Sequence, residues 1–390
     1  MMPPREPRDP LARRKERHVP PSARSGALVA LSARAALGRF VLQRCTDCSA
    51  VTYPPRDICP RCWGPLAWED QPRGARVVAA TTIRVTTDLY FRDHLPWRIG
   101  TVALDAGPTA IVHLDTRLKL GDRAVMRLVL DPGGDAALFA MPEGGKLMAD
   151  RQGRAFVVPV RGRSVLVTDG DSAVGQAVVR AVQAAGAAAI VAGSASPAQP
   201  RPVEEGVRRI GLDLTDTRSV AQCFAGIAGP LDIVVNTARL VRPGAGLVDQ
   251  KRMLDLGVVG LLRLTEASAP LLASRPAGAF VDLLSTHALA PDAAFAAFSA
   301  AEAARHALVQ SFRHRMRSEG VRVMTIFAGP IDDQDHQSLP LPRLAPARLG
   351  QAVVEALETG REESFVGETA ADALARRQDD PALYAREKNR

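Results

Sequence analysis

From residue 164 to 327 the chain alternates short apolar runs with helical ones, and that alternation admits few folds. Residues 164–168, 188–192, 209–212, 231–236, 279–284 and 321–327 read as strands. Residues 173–185, 218–228, 253–272 and 293–318 carry apolar side chains at helical spacing. Helices inserted between successive strands bring those strands together in parallel, so this half predicts a doubly wound parallel sheet.

The residues before it obey another rule. After a helical pattern at 27–40, short β-like runs at 76–85, 99–105, 109–114 and 124–130 are separated by turn signals such as Asp105-Ala-Gly-Pro108 and Asp131-Pro-Gly-Gly134. Strands this short and this regular predict a small β-barrel. The organisation expected is a basic tail at 1–26, a cysteine-and-barrel domain at 27–141, a linker at 142–163 and the α/β domain at 164–390.

The 390 residues suffice for two cores. Net charge is +8 and the charge is uneven, with seven basic against three acidic residues in 1–25. A proline-rich basic segment of this kind is expected to be a disordered, solvated tail. No apolar run reaches the ~18 residues of a membrane span, and the N-terminus lacks the apolar core of a secretory signal. A cytoplasmic protein with no membrane association is expected. Cys223, inside a helical pattern, reads as a small core residue.

The other four cysteines form Cys45-Thr-Asp-Cys48 and Cys59-Pro-Arg-Cys62. Two CxxC knuckles place four thiolates around one tetrahedral ion and leave no open position, so a structural zinc is expected, with iron open on the same ligands. Val41 to Cys48, Pro54-Pro-Arg56 and the second knuckle lead into Pro96, Gly100-Thr-Val-Ala-Leu104 and Leu120-Gly-Asp122. This stretch resembles the rubredoxin-like zinc ribbons joined to an OB-fold that accompany thiolases and other acyl-CoA enzymes. The resemblance implies a non-catalytic partner that docks on a thiolase-type subunit, with acyl-CoA as a possible ligand. A ribbon with an OB-fold also suits nucleic acid, and Trp63, Trp68, Trp97, Tyr53 and Tyr90 all lie here. Barrel core or partner contact is the plainer account of these rings, so nucleic acid is not the expected partner.

Ser285, then an aromatic thirteen residues on and a charged residue four further, sits in the order of a short-chain dehydrogenase/reductase (SDR), which the chain resembles over about 162–367. That family's glycine turn reads Thr168-Asp-Gly-Asp-Ser-Ala-Val-Gly175 here, with Asp169 and Ala173 replacing two glycines. Gly170, Gly175, Asp213 and Asn236 are the remaining cofactor-side positions. No acidic residue follows the second strand to hold a ribose diol. Asp169 and Asp171 add negative charge where a pyrophosphate would lie; two unit charges ~4 Å apart repel by about 4 kcal/mol at an effective dielectric of 20. The family's Asn, Ser, Tyr and Lys fall on Gly257, Ser285, Phe298 and Glu302. A phenyl ring cannot donate a proton, and loss of a general acid typically costs 10²–10⁴-fold. NAD(P) binding is therefore doubtful and ordinary hydride chemistry is not expected. A substitute nucleophile from Ser285 with a Glu302–His306 pair is conceivable at i, i+4 spacing, although a solvated helix pair is the simpler reading. The family's two long helices further imply a homo-oligomer, or a hetero-oligomer with an intact SDR.

The fold class expected is thus a zinc ribbon and OB-type β-barrel followed by a Rossmann-like α/β domain. The function expected is a non-catalytic accessory or scaffold subunit of an acyl-CoA-processing complex. The alternatives are an NAD(P)-dependent SDR oxidoreductase acting on a ketoacyl- or hydroxyacyl-CoA, and a nucleic-acid-binding module.

Overall fold

A computed structural model describes residues 19–20, 26–196, 205–241, 246–337 and 341–389. Most of the expected tail lies outside the described residues. The chain enters through helix α1 (Gly26–Ala36) and a three-stranded antiparallel ribbon of β1 (Val41–Cys45), β2 (Val51–Thr52) and β3 (Leu66–Asp70), with β1 in the centre.

Five strands then close a barrel: β4 (Gly74–Ile83), β5 (Trp97–Leu104), β6 (Thr109–Leu114), β7 (Arg123–Leu130) and β8 (Ala136–Met141), in the order β4-β5-β6-β8-β7. A short helix, α2 (Leu89–Asp93), joins β4 to β5. Alternation along β5 buries Gly100, Val102 and Leu104 between the half-buried Thr101 and Ala103, the period-2 signature of a strand, while Trp97, out of that phase, packs with Ile99 in a separate cluster. A register shift between Val77 and Ala79 lets β4 curve. Strand β8 was not among the expected strands; its run of Ala136 to Met141 follows the Gly134 turn, where φ is +84°.

The α/β half is a seven-stranded parallel sheet. Its strands are β9 (Ser164–Val167), β10 (Ala189–Ser194), β11 (Val207–Gly211), β12 (Ile233–Asn236), β13 (Ala279–Ser285), β14 (Arg322–Ala328) and β15 (Glu363–Val366), in the order β11-β10-β9-β12-β13-β14-β15. That order reverses beside β9, where open α/β sheets form a crevice. Helices α3 (Ala173–Ala184) and α8 (Pro346–Thr359) cover one face. Helices α4 (Thr217–Gly226), α6 (Gly260–Ala273) and α7 (Ala296–Arg317) cover the other. Helix α5 (Leu247–Leu254) runs into α6 through a π-turn at Asp255–Val259, and α9 (Glu368–Asp379) and α10 (Pro381–Glu387) close the chain. Cys223 is buried in the second core, as expected. Residues 247–273 are long and apolar enough to cross a membrane, but this element packs on α4 and α7 in the layer over the sheet.

The segment expected to be a linker is packed instead. Asp150, Gln152, Phe156, Val157 and Val158 are buried. The Val158 amide donates to Leu357 O at 2.8 Å. Arg322, at the start of β14, donates to Leu130 O and Ala155 O, at 3.1 and 3.3 Å. Charge and weak patterning made 142–163 look solvated, whereas its polar groups are spent on fixed partners that seat the barrel on the sheet.

Candidate metal centre and candidate dehydrogenase-like site

The four cysteines converge. Their Sγ atoms all lie within 4.8 Å of one another, with Cys45–Cys62 at 3.4 Å and Cys48–Cys59 at 3.7 Å. Tetrahedral zinc with Zn–S of about 2.3 Å separates its sulfurs by about 3.8 Å, so the donor set fits such an ion. Each knuckle is a tight turn: Ser49 N–H donates to Cys45 O, and Trp63 N–H to Cys59 O. Ser49 and Trp63 both take positive φ, 59° and 65°. The amides of Cys48 and Arg61 point at Cys45 and Cys59 Sγ, which favours thiolates.

The glycine turn between β9 and α3 is folded back on itself. The Asp169 carboxylate accepts from the Asp171 and Ser172 amides at 3.3 Å. Ser172 Oγ accepts from the Gly175 amide at 3.0 Å. These are helix-start N–H groups of the kind that bind phosphate elsewhere. Asp169 thus does not aim at a ligand as a bare charge, and burial raises its pKa. Asp171 pairs with Arg209 and Ser194. Gly170 and Gly175 are packing positions: a Cβ on them would lie 2.6 Å from Ala192 Cβ and 1.7 Å from Asp169 O.

Asn236 ties three strands. Its Oδ1 accepts from Thr168 Oγ1 at 2.9 Å, and its Nδ2 donates to Asp282 Oδ1 at 2.7 Å. Asp213 accepts from the amide and hydroxyl of Thr215. A crevice of about 350 Å³ remains at these strand ends, lined by Asp169, Asp171, Asp213 and Arg239 among others.

Where the family's tetrad would stand is a buried ionic network. Glu302 accepts from the Ser285 amide and, at 2.8 Å, from Arg305 Nη1. Arg305 Nη2 donates to Asp282 Oδ1 at 2.7 Å. Arg305, Glu302 and Asp282 are each about 1% exposed or less. Burial works against the Arg305 charge, but Asp282 and Glu302 outweigh it and hold the pKa above the usual arginine value. Gly257 leaves the room: a Cβ there would sit 3.5 Å from Arg305 Cδ and 3.2 Å from Ala301 Cβ. Phe298 packs with Val241, Met253 and Phe295.

The imagined Glu302–His306 pair does not form, nor is Glu302 solvated. His306 bonds Gln310 at 2.9 Å and rests edge-on against Phe327. The histidine beside Ser285 is His287, whose Nδ1 lies 2.8 Å from Ser285 Oγ. Burial, then Lys388, pushes the His287 pKa down to about 4. Its ring is enclosed by Phe295 and Phe298, and Ser285 is itself buried. Sequence reasoning missed Arg305, Asp282 and Arg239. The available signals were an aspartate inside an apolar strand and an arginine one turn after Glu302.

Residues 163–340 match the short chain dehydrogenase family model, and residues 32–69 match the ChsH2, rubredoxin-like zinc ribbon domain. The chain thus resembles a short chain dehydrogenase over residues 163–340 and a ChsH2-type zinc ribbon over residues 32–69. An uncharacterized oxidoreductase of Staphylococcus epidermidis is 24% identical to it over 216 residues, 51% of this chain and 92% of its own length. A short chain dehydrogenase of Pseudocercospora fijiensis is 27% identical over 195 residues, 46% of this chain and 63% of its own. A short chain dehydrogenase from Burkholderia cenocepacia, solved in complex with NADP, superposes with a TM-score of 0.55 at 27% identity, covering 58% of this chain and 98% of that one. The sheet order and the crevice beside β9 are those of the dehydrogenase domain. The ionic network of Asp282, Glu302 and Arg305 lies within it.

Proposed function

We propose that this protein is a non-catalytic accessory subunit of an acyl-CoA-processing complex. The zinc ribbon and barrel dock a thiolase-type partner, and the dehydrogenase domain serves as an associating scaffold. One observation carries the non-catalytic half of the reading: Glu302, at the family's lysine position, is buried and committed to Arg305 and the Ser285 amide. Neither it nor Phe298 offers a proton to a carbonyl oxygen. The self-capped turn before α3 adds to this, because the Asp171, Ser172 and Gly175 amides already have side-chain acceptors.

The docking half draws support from the ribbon tip. Trp63 is 78% exposed and stands with Ile58 and Pro60 beside the second knuckle. Isolated exposed apolar residues are ordinary, but a large aromatic grouped with apolar neighbours on a rigid knuckle suits a protein partner. For self-association, Val248 and Leu254 on α5, Val259 on the π-turn and Leu262 on α6 are exposed.

A second reading is an NAD(P)-dependent reductase, favoured by the crevice beside β9 and by the NADP complex of the Burkholderia relative. The deciding experiment is titration of the purified full chain with NADH and NADPH, followed by turnover with a short ketoacyl-CoA. No saturable binding and no turnover are expected. Turnover at an ordinary enzymatic rate overturns the accessory reading.

A further inference from the structure

A second cavity lies away from the dinucleotide crevice. It is a cleft of about 800 Å³ between the barrel and the outer helices of the dehydrogenase domain. Met141, Leu147 and Met148 wall it on the barrel side, and Ala181, Ala184 and Val354 on α3 and α8 face them. Both domains are needed to make it, and domain interfaces are where ligand pockets of 300–1,000 Å³ concentrate.

Its lining carries four cations, Arg127, Lys146, Arg180 and Arg361, against Glu355 and Glu358. Arg127, on β7, lines the cleft half-buried and makes no hydrogen bond or ion pair among the described residues. Burial lowers its pKa, and the neighbouring guanidiniums of Arg73 and Arg361 lower it further. Arg361 also lines the cleft, where it holds Glu355 at 3.0 Å, and the exposed Lys146 stands at the same wall. An unpaired, partly desolvated guanidinium repelled by two others is costly unless an anion joins it.

We propose that this interdomain cleft binds an elongated apolar ligand with an anionic head, the chain lying between the alanine face of α3 and the Met141, Leu147 and Met148 wall and the head on Arg127. A free fatty acid and an acyl group on a phosphate-bearing thioester carrier share this chemistry. The thioester arm deepens the acyl-CoA reading of the proposed function and rests on it, whereas the site itself involves neither Ser285 nor the crevice beside β9, so the cleft can fail while that reading stands.

The test is calorimetric titration of the full chain with palmitate, palmitoyl-CoA and the uncharged hexadecanol. At least one anionic probe is expected to bind saturably, at least tenfold tighter than hexadecanol. Binding of palmitate alone assigns the free acid, and binding of palmitoyl-CoA alone assigns the carrier-bound chain. Arg127→Gln is expected to erase the tenfold preference. Ala184→Trp, at an exposed position that tolerates bulk, is expected to abolish binding with an unchanged melting temperature. Saturating NADPH is expected not to displace the ligand. The proposal is overturned if neither anion binds, if the preference survives Arg127→Gln, if Ala184→Trp has no effect, or if NADPH displaces the probe.

Discussion

Glu302 and Arg305, one turn apart on α7, form a 2.8 Å ion pair with both side chains about 1% exposed. The pair reaches across to the sheet, because Arg305 also holds Asp282 on β13 at 2.7 Å. Reinstating the family residue here is therefore not a neutral repair. Glu302→Lys puts a second cation against Arg305 and strips the Ser285 amide of its acceptor. Removing one partner of a buried pair typically costs about 3–5 kcal/mol, and a like charge adds to that. Denaturant unfolding of Glu302→Lys is expected to show a loss at the upper end of that range. A loss below about 1 kcal/mol would contradict the network.

The same geometry predicts a failed rescue. Phe298→Tyr/Glu302→Lys supplies a phenol and an ammonium, yet Arg305 still fills the space that Gly257 leaves open. The double variant is expected to remain without NADPH-dependent turnover. Activity in this double variant with Arg305 intact would show that the network does not block the chemistry.

Much of the fold was legible because period and punctuation agree. The six strands read from residue 164 onward all appear within about two residues at each end, and the largest offsets come where polar residues blur the edge, as with Arg209 inside β11 (Val207–Gly211). β15 escaped notice because Glu363–Val366 has no alternation or apolar run to announce it, being an outer strand with every residue half-buried. At the site, the resemblance to the dehydrogenase family's motifs showed which positions carry other residues. What had been gained was hidden: Arg305 meets Asp282 across 23 positions, and no local pattern joins a strand aspartate to a helix arginine. The packed stretch after residue 142 was misread for a related reason, since Asp150 and Gln152 are polar residues whose partners, Thr116 and Arg98, lie far back in the barrel.

The thiolate cluster predicts one tightly held metal per chain. Elemental analysis of protein purified without added metal is expected to find close to one equivalent of zinc. Cys59→Ser is expected to lose the metal and unfold the ribbon while the dehydrogenase domain keeps its own melting transition. Retention of a full equivalent by Cys59→Ser would rule out the four-cysteine site.

Association through the helical layer predicts a change of mass on breaking it. Val259 and Leu262 are 41% and 43% exposed on the π-turn and α6. A Val259→Asp/Leu262→Asp variant is expected to sediment as a monomer where the parent does not, with little change in intrinsic stability, because exposed substitutions usually stay within about 0.5 kcal/mol. Identical sedimentation of the two would remove these helices as the contact.

His113 gives the barrel a pH response with a definite sign. Trp97 Nε1 donates to its Nδ1 at 2.9 Å, so the ring must keep that nitrogen bare. Burial pushes its pKa down to about 4, against an unfolded value of about 6.5. As pH falls, the unfolded chain therefore takes up the proton first. The stability that the neutral ring contributes is complete above pH 6.5, declines between about 6.5 and 4, and falls no further below that. A shift of this size corresponds to roughly 3 kcal/mol. In His113→Gln the amide oxygen still accepts from Trp97 but does not titrate. The stability difference between parent and variant, followed by tryptophan fluorescence in urea, is expected to change by that amount from pH 7.5 to 4 in the variant's favour. A difference constant across the range would mean that His113 is already charged, or reached by water, in the folded barrel.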